Sequence, residues 1–431
     1  MLKIESVKGG RLLGVSTVSQ ADACGSFIVE IDGKPAATGH ANRFRAAPLN
    51  SLEVDNPAQG GHYGGFSIPL HLHWYDGGTH EVVIKGTSGT LLAKRRCAFP
   101  VNSNAQYLQK SILMSDVYTP HVGSKKVAIV AAYSTDDQVN ECQKWLLKYL
   151  REQGYYVVLA LALPDECVQH RPISLAGLCH AFLVRRNVGY DFGSWAHAWL
   201  RWGGLFKTAS QVLFVNDSIV GPVVPGNFLA EFDALDYDLC GVTESFQHTW
   251  HVQSYFWRVA PSVLAGAHLD EFFLCRHAVA ASKDEAIKNY EVAMAKYFHA
   301  NGFKVGVWAA SSSIRSLAFD AFQQTLQHRL AIKSLVYQNS ALATAMTSHV
   351  AEKAMPYLAA LLSDQHQNPA QHFWKGLIEL GFPFIKKELL TKNPVQYPFV
   401  DELSGFFDSD VLRPILSDLL RRSSPSVAHF I

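Results

Sequence analysis

The segment "VLFVNDSIVGP", residues 212–222, decides the fold class of this 431-residue chain. It opens with four apolar residues, which predict a strand buried on both faces, and such strands belong to parallel sheets covered by helices. Asn216, Asp217 and Ser218 follow directly. Ligands of open α/β sheets bind outside the carboxyl ends of the strands, so this strand end is predicted to contribute to a binding site. An Asx turn without any ligand explains the same three residues, because all three favour turns.

Further strands and helices alternate around this segment. The run "KKVAIVAAYSTDD" (125–137) predicts a buried strand, and the residues after it have apolar positions at helical spacing up to a stop at Gly154. The runs "YYVVLALAL" (155–163) and "HAFLVRR" (180–186) predict two more buried strands. This alternation predicts a parallel sheet with right-handed crossovers. The dinucleotide fingerprint, the P-loop and the GxSxG elbow are missing, which argues against oxidoreductases, ATPases and α/β-hydrolases.

Composition restricts the class of protein further. The chain has 38 Lys and Arg against 37 Asp and Glu, and its net charge of +1 gives no general reason to expect nucleic acid as a partner. Hydrophobic residues make up 48% and charged residues 17%, which is typical of a compact globular protein. Three short basic clusters are predicted to be solvated surface: Lys94-Arg95-Arg96, Lys125-Lys126 and Lys386-Lys387.

Cysteine usage and hydropathy predict the compartment. The seven cysteines include no CxxC pair, so neither a disulfide framework nor a zinc ribbon is predicted, and a reduced, cytoplasmic protein is expected. The sequence has no apolar signal core near Met1 and no stretch approaching eighteen uninterrupted apolar residues. No transmembrane segment is therefore expected.

The first 102 residues follow a different pattern. Short alternating runs such as "SFIVEI" (26–31) and "HEVVIK" (80–85) are separated by turns that contain glycine. Alternation with glycine turns predicts antiparallel hairpins, and several of them in succession predict a β-sandwich.

Several motifs together resemble one family of glycosyltransferases. In chain order, within about residues 125–395, they are "RNVGYDFGSW", "VLFVNDSIVGP", "DLCGVTES", "HVQSYFWRV", "YEVAMAKYFHANGFKVGVW" and "NPAQHFWKGLIELGFPFIKKELLTKNP". These pieces resemble the rhamnan-synthesis F proteins, bacterial transferases of polysaccharide assembly. A buried strand that ends in an acid also resembles the layout of GT-A-type glycosyltransferases.

The resemblance implies an α/β fold class, with a GT-A-like, mostly parallel sheet flanked by helices. An N-terminal all-β sandwich domain precedes it, and a helical C-terminal region follows it. The predicted division is a β-sandwich accessory domain at 1–102, a linker at 103–124, a GT-A-like catalytic domain at 125–310 and a helical region at 311–431 that completes the transferase.

The resemblance also implies a function. It implies an inverting glycosyltransferase that moves a sugar, most often L-rhamnose, from a nucleoside-diphosphate sugar to a growing cell-surface polysaccharide of the O-antigen, capsule or rhamnan type. The expected donor is dTDP-L-rhamnose. The expected acceptor is a glycan or a lipid-linked glycan. Two explanations are open for the aromatic and basic segment "NPAQHFWKGLIELGFPFIKKELL": peripheral docking at the inner face of the cytoplasmic membrane, and packing onto the catalytic domain, which is the commoner role of such helices. A non-catalytic glycan-binding or assembly protein on a degenerate transferase fold is the alternative.

Donor binding is assigned to residues near two strand ends. Asp191 lies among glycines, where backbone can approach a ligand closely while the rings of Tyr190 and Phe192 pack behind it. An aspartate that caps the next helix is the alternative. The resemblance favours the interpretation of Asp191 as a residue that binds the ligand. The predicted donor-binding residues are Asn187, Asp191, Asn216, Asp217 and Ser218.

Asp217 is predicted to contact the donor diphosphate, either directly or as a ligand of Mg²⁺ or Mn²⁺, because hard divalent cations prefer carboxylate and phosphate oxygens. The usual motif has two acids and this one has a single acid, which puts metal dependence in doubt. Without a metal, basic side chains must neutralise the leaving group, and the nearest candidates by motif are Arg185, Arg186 and Arg258.

The predicted base of inverting transfer is Glu291, at the opening of the helix "YEVAMAKYFHANG", because similar GT-A-type enzymes place the catalytic acid there. A glutamate that merely favours the helix dipole is the alternative. Glu244 is the second candidate base, since it also ends a buried strand. His251, Gln253 and Arg258 are predicted to bind the acceptor or the phosphates. Alternation would direct His251, Gln253 and Tyr255 to one face of an extended segment.

Overall fold

The computed structural model describes residues 2–16, 26–41, 43–46, 61–120, 125–135, 138–164, 175–336, 340–363, 367–399, 401–406 and 417. Within these residues the chain has a mixed α/β fold with several sheets, the largest of which combines parallel and antiparallel strands. The strands are β1 (Leu2–Lys8), β2 (Arg11–Ser16), β3 (Ser26–Ile31), β4 (Lys34–His40), β5 (Arg43–Ala46), β6 (Gly61–Pro69), β7 (Thr79–Gly86), β8 (Leu91–Ala98), β9 (Ile112–Val117), β10 (Val127–Tyr133), β11 (Tyr156–Leu163), β12 (Ala181–Arg186), β13 (Val212–Asn216), β14 (Ile219–Val220), β15 (Leu239–Ser245), β16 (His251–Val252), β17 (Phe256–Val259), β18 (Val305–Ala309) and β19 (Ile385–Lys386).

The helices lie between these strands and after the large sheet. They are α1 (Ser103–Ser111), α2 (Glu141–Glu152), α3 (Tyr190–Phe206), α4 (Phe228–Ala234), α5 (Pro261–Leu264), α6 (His268–Asp270), α7 (Lys283–Ala286), α8 (Val292–Ala300), α9 (Ser311–Val336), α10 (Ser340–Leu362), α11 (Pro369–His372), α12 (Trp374–Glu379), α13 (Lys387–Thr391) and α14 (Asp401–Ser404). Leu72–Trp74 form a 3₁₀ turn. Two π turns, Glu271–Cys275 after α6 and Ile287–Glu291 between α7 and α8, continue the adjoining helices.

The N-terminal strands form two antiparallel four-stranded sheets, with the orders β1-β2-β6-β5 and β4-β3-β7-β8. Side chains of both sheets share one core, in which the rings of Phe27 and Phe66 meet edge to face at 5.3 Å. The antiparallel pairing agrees with the alternating sequence pattern. The division of the chain into domains stays a prediction.

The large sheet contains the four strands predicted from apolar runs. Its order is β16-β15-β17-β13-β10-β11-β12-β9, and β18 pairs with β15. Strands β13, β10, β11 and β12 are parallel, whereas β9 and β17 are antiparallel to their neighbours. Every residue of β11 is buried, because Val157 and Leu159 face one core and Tyr156 and Val158 face the other.

The order of the central strands creates a crevice beside β10. The chain moves from β10 outward to β11 and β12, and then returns to place β13 on the opposite side of β10. Ligands of open α/β sheets bind at such a reversal, beyond the carboxyl ends of the strands. The Asp217 backbone N–H donates to Ala131 O at 2.9 Å, which holds the turn after β13 at this edge.

A late segment returns to the same edge of the sheet. Strand β19 pairs antiparallel with β14, and the Lys387 N–H donates to Ser218 O at 2.8 Å. Gly221 permits the close approach, because a Cβ atom there would lie 2.2 Å from Pro383 O. The start of α13 is thereby fixed beside the turn that follows β13.

The region after residue 310 is helical where the structure describes it, from α9 to α14, with the short strand β19 between α12 and α13. Residues 407–416 and 418–431 of the predicted C-terminal region lie outside the described residues. No helix in the described ranges combines the length and the apolar character that crossing a bilayer requires.

Candidate active site

A cavity of about 750 Å³ opens at the carboxyl ends of β10 and β13. Side chains from distant parts of the chain line it: Tyr133, Thr135, Asn140, Tyr190, Asp191, Phe192, Asn216, Asp217, Ser218, Gln247, His248, His251, Gln253, Ser254, Tyr255, Lys283, Ala286, Ile287, Glu291, Asn368, Gln371, Lys386, Lys387, Glu388, Thr391 and Lys392. Most of the residues singled out by sequence therefore come together here.

The turn after β13 is at once an Asx turn and part of the cavity wall. The Asn216 Oδ1 accepts the Ser218 N–H at 3.2 Å, which is the turn that the three residues favour by themselves. The other end of the same amide donates to Asp191 Oδ2 at 2.8 Å. The two interpretations of this motif thus describe one structure, because Asn216 shapes the turn and orients the acid opposite.

Asp191 lies in the first turn of α3, and its side chain contributes to the cavity wall. The N-cap of the helix is Gly189 (φ 77°), and no side chain caps the helix, so the interpretation of Asp191 as a cap is wrong. Burial, and after it the negative charge of Asp217, raises the pKa of Asp191 to about 6. Phe192 is buried behind it as predicted, whereas Tyr190 is 40% exposed with a left-handed φ of 55°.

Arg185 holds the loop that leads into α3. Its buried guanidinium donates to Val188 O at 2.6 Å, to Tyr190 O at 2.7 Å and to Arg186 O at 2.8 Å. Desolvation lowers the pKa of Arg185 to about 9. The hypothesis that Arg185 neutralises a leaving group is wrong, because its N–H groups donate to backbone carbonyls and to the Ser194 Oγ within the protein.

Asp217 accepts hydrogen bonds from inside the protein. The Gln143 Nε2 donates to its Oδ2 at 2.6 Å, and the Lys387 Nζ lies 3.6 Å from the same oxygen. Gln143 is fixed in turn by a capping box with Asn140 at the start of α2. The sequence carried a signal for Gln143, since Asn followed three residues later by Gln resembles the capping-box pattern.

Lys386 is a residue of the cavity that the sequence interpretation missed. Its Nζ donates to the Ser218 Oγ at 2.7 Å and lies 4.2 Å from the centroid of the Tyr255 ring. Desolvation lowers the pKa of Lys386 to about 8, and the negative charges of Glu291 and Asp191 oppose that shift. The prediction that Lys386-Lys387 is solvated surface is wrong, because the pairing of β19 with β14 turns this dipeptide toward the cavity.

Glu291 reaches the cavity from a π turn. Its Oε1 accepts the Ser254 N–H at 3.0 Å, which orients the carboxylate. The predicted position at the opening of a helix is wrong, because the helix begins at α7 with Ser282 as its cap and continues through the π turn into α8. π turns are frequent at functional sites, since the extra residue shifts a side chain out of the regular helical register.

The segment from His251 to Tyr255 forms the cavity wall beside Glu291. The buried Gln253 accepts from Thr243 Oγ1 at 2.7 Å and donates to Asn368 Oδ1 at 3.0 Å. The His251 Nδ1 donates to Thr249 O at 2.8 Å. His251, Gln253 and Tyr255 all reach the cavity, but so does Ser254, so the wall is not one face of a regular strand.

Two of the predicted site residues, Glu244 and Arg258, line neither this cavity nor the second cavity described below. Glu244 accepts the Ser311 N–H at the start of α9 at 3.0 Å and the Trp250 Nε1–H at 2.7 Å. Arg258 is buried and donates to Leu235 O at 2.5 Å and to Phe232 O at 3.1 Å. The structure therefore gives Glu244 a role at a helix start and Arg258 a role behind α4, and it corrects the catalytic and phosphate-binding predictions.

Asn187 lies in a second cavity of about 600 Å³, between α1, the loop before α3 and the segment 278–281. Tyr190 lines both cavities. The ring of Tyr107, which is 52% exposed, contributes to the wall of the second cavity. We call this second cavity the tyrosine groove.

The side chains around Asp217 do not fit a divalent cation. Within the described ranges no three His, Cys, Asp or Glu side chains converge as metal ligands. The Asp217 Oδ2 already accepts an amide donor, and the Lys387 ammonium lies close to it. A positive charge in this position repels a cation and competes for the oxygen that would bind it.

The chain is similar to a known protein family and to several known proteins. A family model described as Rhamnan synthesis protein F matches residues 166–395. Virulence protein VirA of Vibrio anguillarum is 28% identical over 318 residues, 72% of this chain and 95% of VirA. Uncharacterized protein y4gN of Sinorhizobium fredii is 25% identical over 178 residues, 39% of this chain and 44% of that protein. The crystal structure of A197 from STIV aligns with 42% of this chain and 82% of A197, at 10% identity and a TM-score of 0.24.

Proposed function

The chain belongs to the rhamnan synthesis protein F family, whose model covers more than half of it, and on that basis we propose that it is a glycosyltransferase. Family membership links the chain to polysaccharide synthesis. The proposed reaction transfers L-rhamnose, with inversion, from dTDP-L-rhamnose to a growing cell-surface glycan. In this proposal the large sheet is a GT-A-type sheet that binds the nucleotide sugar.

One observation carries the proposal: Glu291, Asp191 and the turn Asn216–Ser218 line a single cavity at a reversal of strand order. The carboxylate of Glu291 accepts one backbone N–H and can act as a base. The carboxylate of Asp191 accepts from the Asn216 amide and can also accept hydrogen bonds from the hydroxyls of a sugar or ribose. We propose that the donor diphosphate lies beside the turn after β13 and that the donor hydroxyls contact Asp191.

The proposed transfer step has Glu291 as the base. The carboxylate of Glu291 takes the proton from the acceptor hydroxyl while the hydroxyl oxygen forms a bond to C1 of the donor sugar. The bond between C1 and the phosphate oxygen breaks, and its electron pair leaves with the nucleoside diphosphate. The Ser254 N–H fixes Glu291 Oε1, so the carboxylate is oriented before substrate arrives.

We propose that the acceptor glycan approaches along the tyrosine groove. Exposed aromatic rings offer apolar faces on which sugar rings can stack. Both Tyr107 and Tyr190 are exposed and line the groove, and Tyr190 also lines the donor cavity. The exposed amide of Asn187 offers hydrogen bonds to hydroxyls. Asn187 is thereby assigned to the acceptor rather than to the donor.

The direct test measures nucleoside diphosphate released from dTDP-L-rhamnose by the full chain, with and without membrane lipid extract as acceptor. Release that rises with acceptor and falls in Glu291→Gln supports the transferase. If the chain binds finished polysaccharide but neither binds nor cleaves any nucleotide sugar, the glycan-binding alternative is correct.

A further inference from the structure

We propose that Lys386 and Lys387, together with the Ser218 hydroxyl, form a diphosphate-binding site that neutralises the leaving group without a divalent cation. This inference rests on the proposed function, since it names the groups that hold the nucleoside diphosphate. It differs from the sequence-based hypothesis, which assigned that charge to a metal on Asp217 or to arginines.

Backbone pairing fixes the segment that carries the two lysines. Strand β19 places Ile385 opposite Val220 and Lys386 opposite Ile219, and the Lys387 N–H donates to Ser218 O at 2.8 Å. The Lys386 Nζ contacts the Ser218 Oγ, and the Lys387 Nζ lies 3.6 Å from the Asp217 Oδ2. Both ammonium groups thus lie beside the turn after β13, where the strand order of the sheet reverses. In open α/β sheets, that is where the ligand binds.

The contacts of Lys386 leave its charge available for an anion. Its hydrogen bond goes to the neutral Ser218 hydroxyl, and its other close contact is the face of the Tyr255 ring. Neither contact cancels the charge, although the carboxylates of Glu291 and Asp191 favour the ammonium form. A diphosphate would form a direct ion pair with Lys386, and ammonium–phosphate hydrogen bonds are among the stronger ones.

Asp217 acts in this arrangement as a positioning residue. Its carboxylate lies 3.6 Å from Lys387 Nζ and 2.6 Å from the donating Gln143 Nε2, so it orients the lysine on the cavity wall. A divalent cation bound to the Asp217 Oδ2 would displace that ammonium group. Asp217, which the sequence motif suggested as a metal ligand, therefore positions Lys387 instead.

During transfer, the bond between C1 and the phosphate oxygen breaks and the electron pair stays on the diphosphate. The added negative charge on that oxygen is stabilised by the two ammonium groups, which keep their protons. The acceptor proton goes to Glu291, so no co-reactant is needed.

The test is calorimetric titration of the full chain with dTDP, and with UDP and GDP as a panel, in EDTA and in excess Mg²⁺. We expect at least one nucleoside diphosphate to bind equally well in both buffers. Lys386→Gln should weaken that binding by about tenfold or more, since hydrogen bonds to charged groups are worth more than neutral ones. Lys386→Arg, which keeps the charge, should retain most of it.

The matched control is Lys148→Gln, which removes the same charge from an exposed site on α2, where Lys148 pairs with Glu152 at 3.8 Å. Thermal melting of each variant verifies that it is folded. Binding that requires Mg²⁺, or unchanged binding by folded Lys386→Gln, overturns this inference and leaves the transferase proposal intact. If no nucleoside diphosphate or nucleotide sugar binds in either buffer, the proposed function itself is wrong and this inference falls with it.

Discussion

Lys386 and Ser218 are 168 positions apart in the sequence, yet the Lys386 Nζ donates to the Ser218 Oγ at 2.7 Å. This contact joins the motif that ends the central strand β13 to a late segment that local sequence patterns assign to the protein surface. It adds positive charge to an edge of the sheet where the sequence indicated acids and amides. The chemistry that we propose for the site follows from that combination.

Glu291→Gln should reduce turnover by about a hundred- to ten-thousandfold, because a positioned general base contributes that much to the rate. Gln keeps the shape and can still accept from the Ser254 N–H, so donor affinity should barely change. Steady-state rates and calorimetric donor binding give the two values.

Glu244→Gln is the matched comparison for Glu291. It should leave turnover near normal and lower the melting temperature slightly, because the carboxylate of Glu244 accepts the first N–H of α9. If Glu244→Gln is inactive while Glu291→Gln turns over normally, Glu291 is not the base.

Asp191→Asn should lose activity and gain stability at pH 8. The folded-state pKa of Asp191 is raised from 3.8 to about 6, so the folded protein binds this proton more tightly than the unfolded chain. Stability from this group is therefore full below pH 3.8 and is lost as the pH rises through 6. A neutral Asn should recover about 1–2 kcal/mol at pH 8, after allowance for partial exposure.

Melting curves of wild type and Asp191→Asn at pH 4 and pH 8 test this. The two proteins should differ at pH 8 and converge at pH 4. A variant that is less stable than wild type at pH 8 would show that the carboxylate is held by favourable charge contacts instead.

Donor affinity should decrease as the pH rises above about 8, because Lys386 then loses the proton that binds phosphate oxygen. The charged or titratable groups that face Lys386 are Asp191, Asp217, Tyr255, Lys283, Glu291, Lys387 and Glu388. Burial raises the pKa of Tyr255, which stays neutral in this range. The measurement uses dTDP-L-rhamnose, whose phosphodiester groups do not titrate between pH 7 and pH 9.

Lys386→Arg provides the control for this pH dependence, since an arginine stays protonated throughout. Its donor affinity should be flat over the same range. An equal decline in wild type and Lys386→Arg would assign the titration to another group.

Tyr107→Ala should raise the KM for the acceptor by about tenfold and leave donor affinity unchanged, because stacking on one aromatic face is worth about 1–2 kcal/mol. Tyr118→Ala removes a ring of similar exposure (40%) that does not line the tyrosine groove and serves as the control. Equal effects of the two substitutions would show that the groove does not carry the acceptor.

The sequence alone determined the central strands and the place of the site. Strands β10, β11, β12 and β13 are buried on both faces, and burial on both faces requires continuous apolar runs that are visible locally. Polar residues directly after such a run lie at the edge of the sheet where ligands bind, so the sequence alone places Asn216 and Asp217 there. The resemblance of the motifs to a known family added Asp191 and Glu291 to the predicted site residues.

Only the tertiary structure shows which charged side chains line the cavity. The sequence predicted phosphate binding for Arg258 and a surface position for Lys386, but Arg258 donates to backbone carbonyls whereas Lys386 lines the cavity. The difference comes from the pairing of β19 with β14, a contact between segments far apart in the chain. Glu291 likewise reaches the cavity through a π turn rather than a helix start. The local pattern of apolar residues predicts which face of a helix or strand is buried, but not which distant segment packs against it. Here the distant segment β19 brings Lys386 to the cavity, and its pairing with β14 therefore determines the charge there.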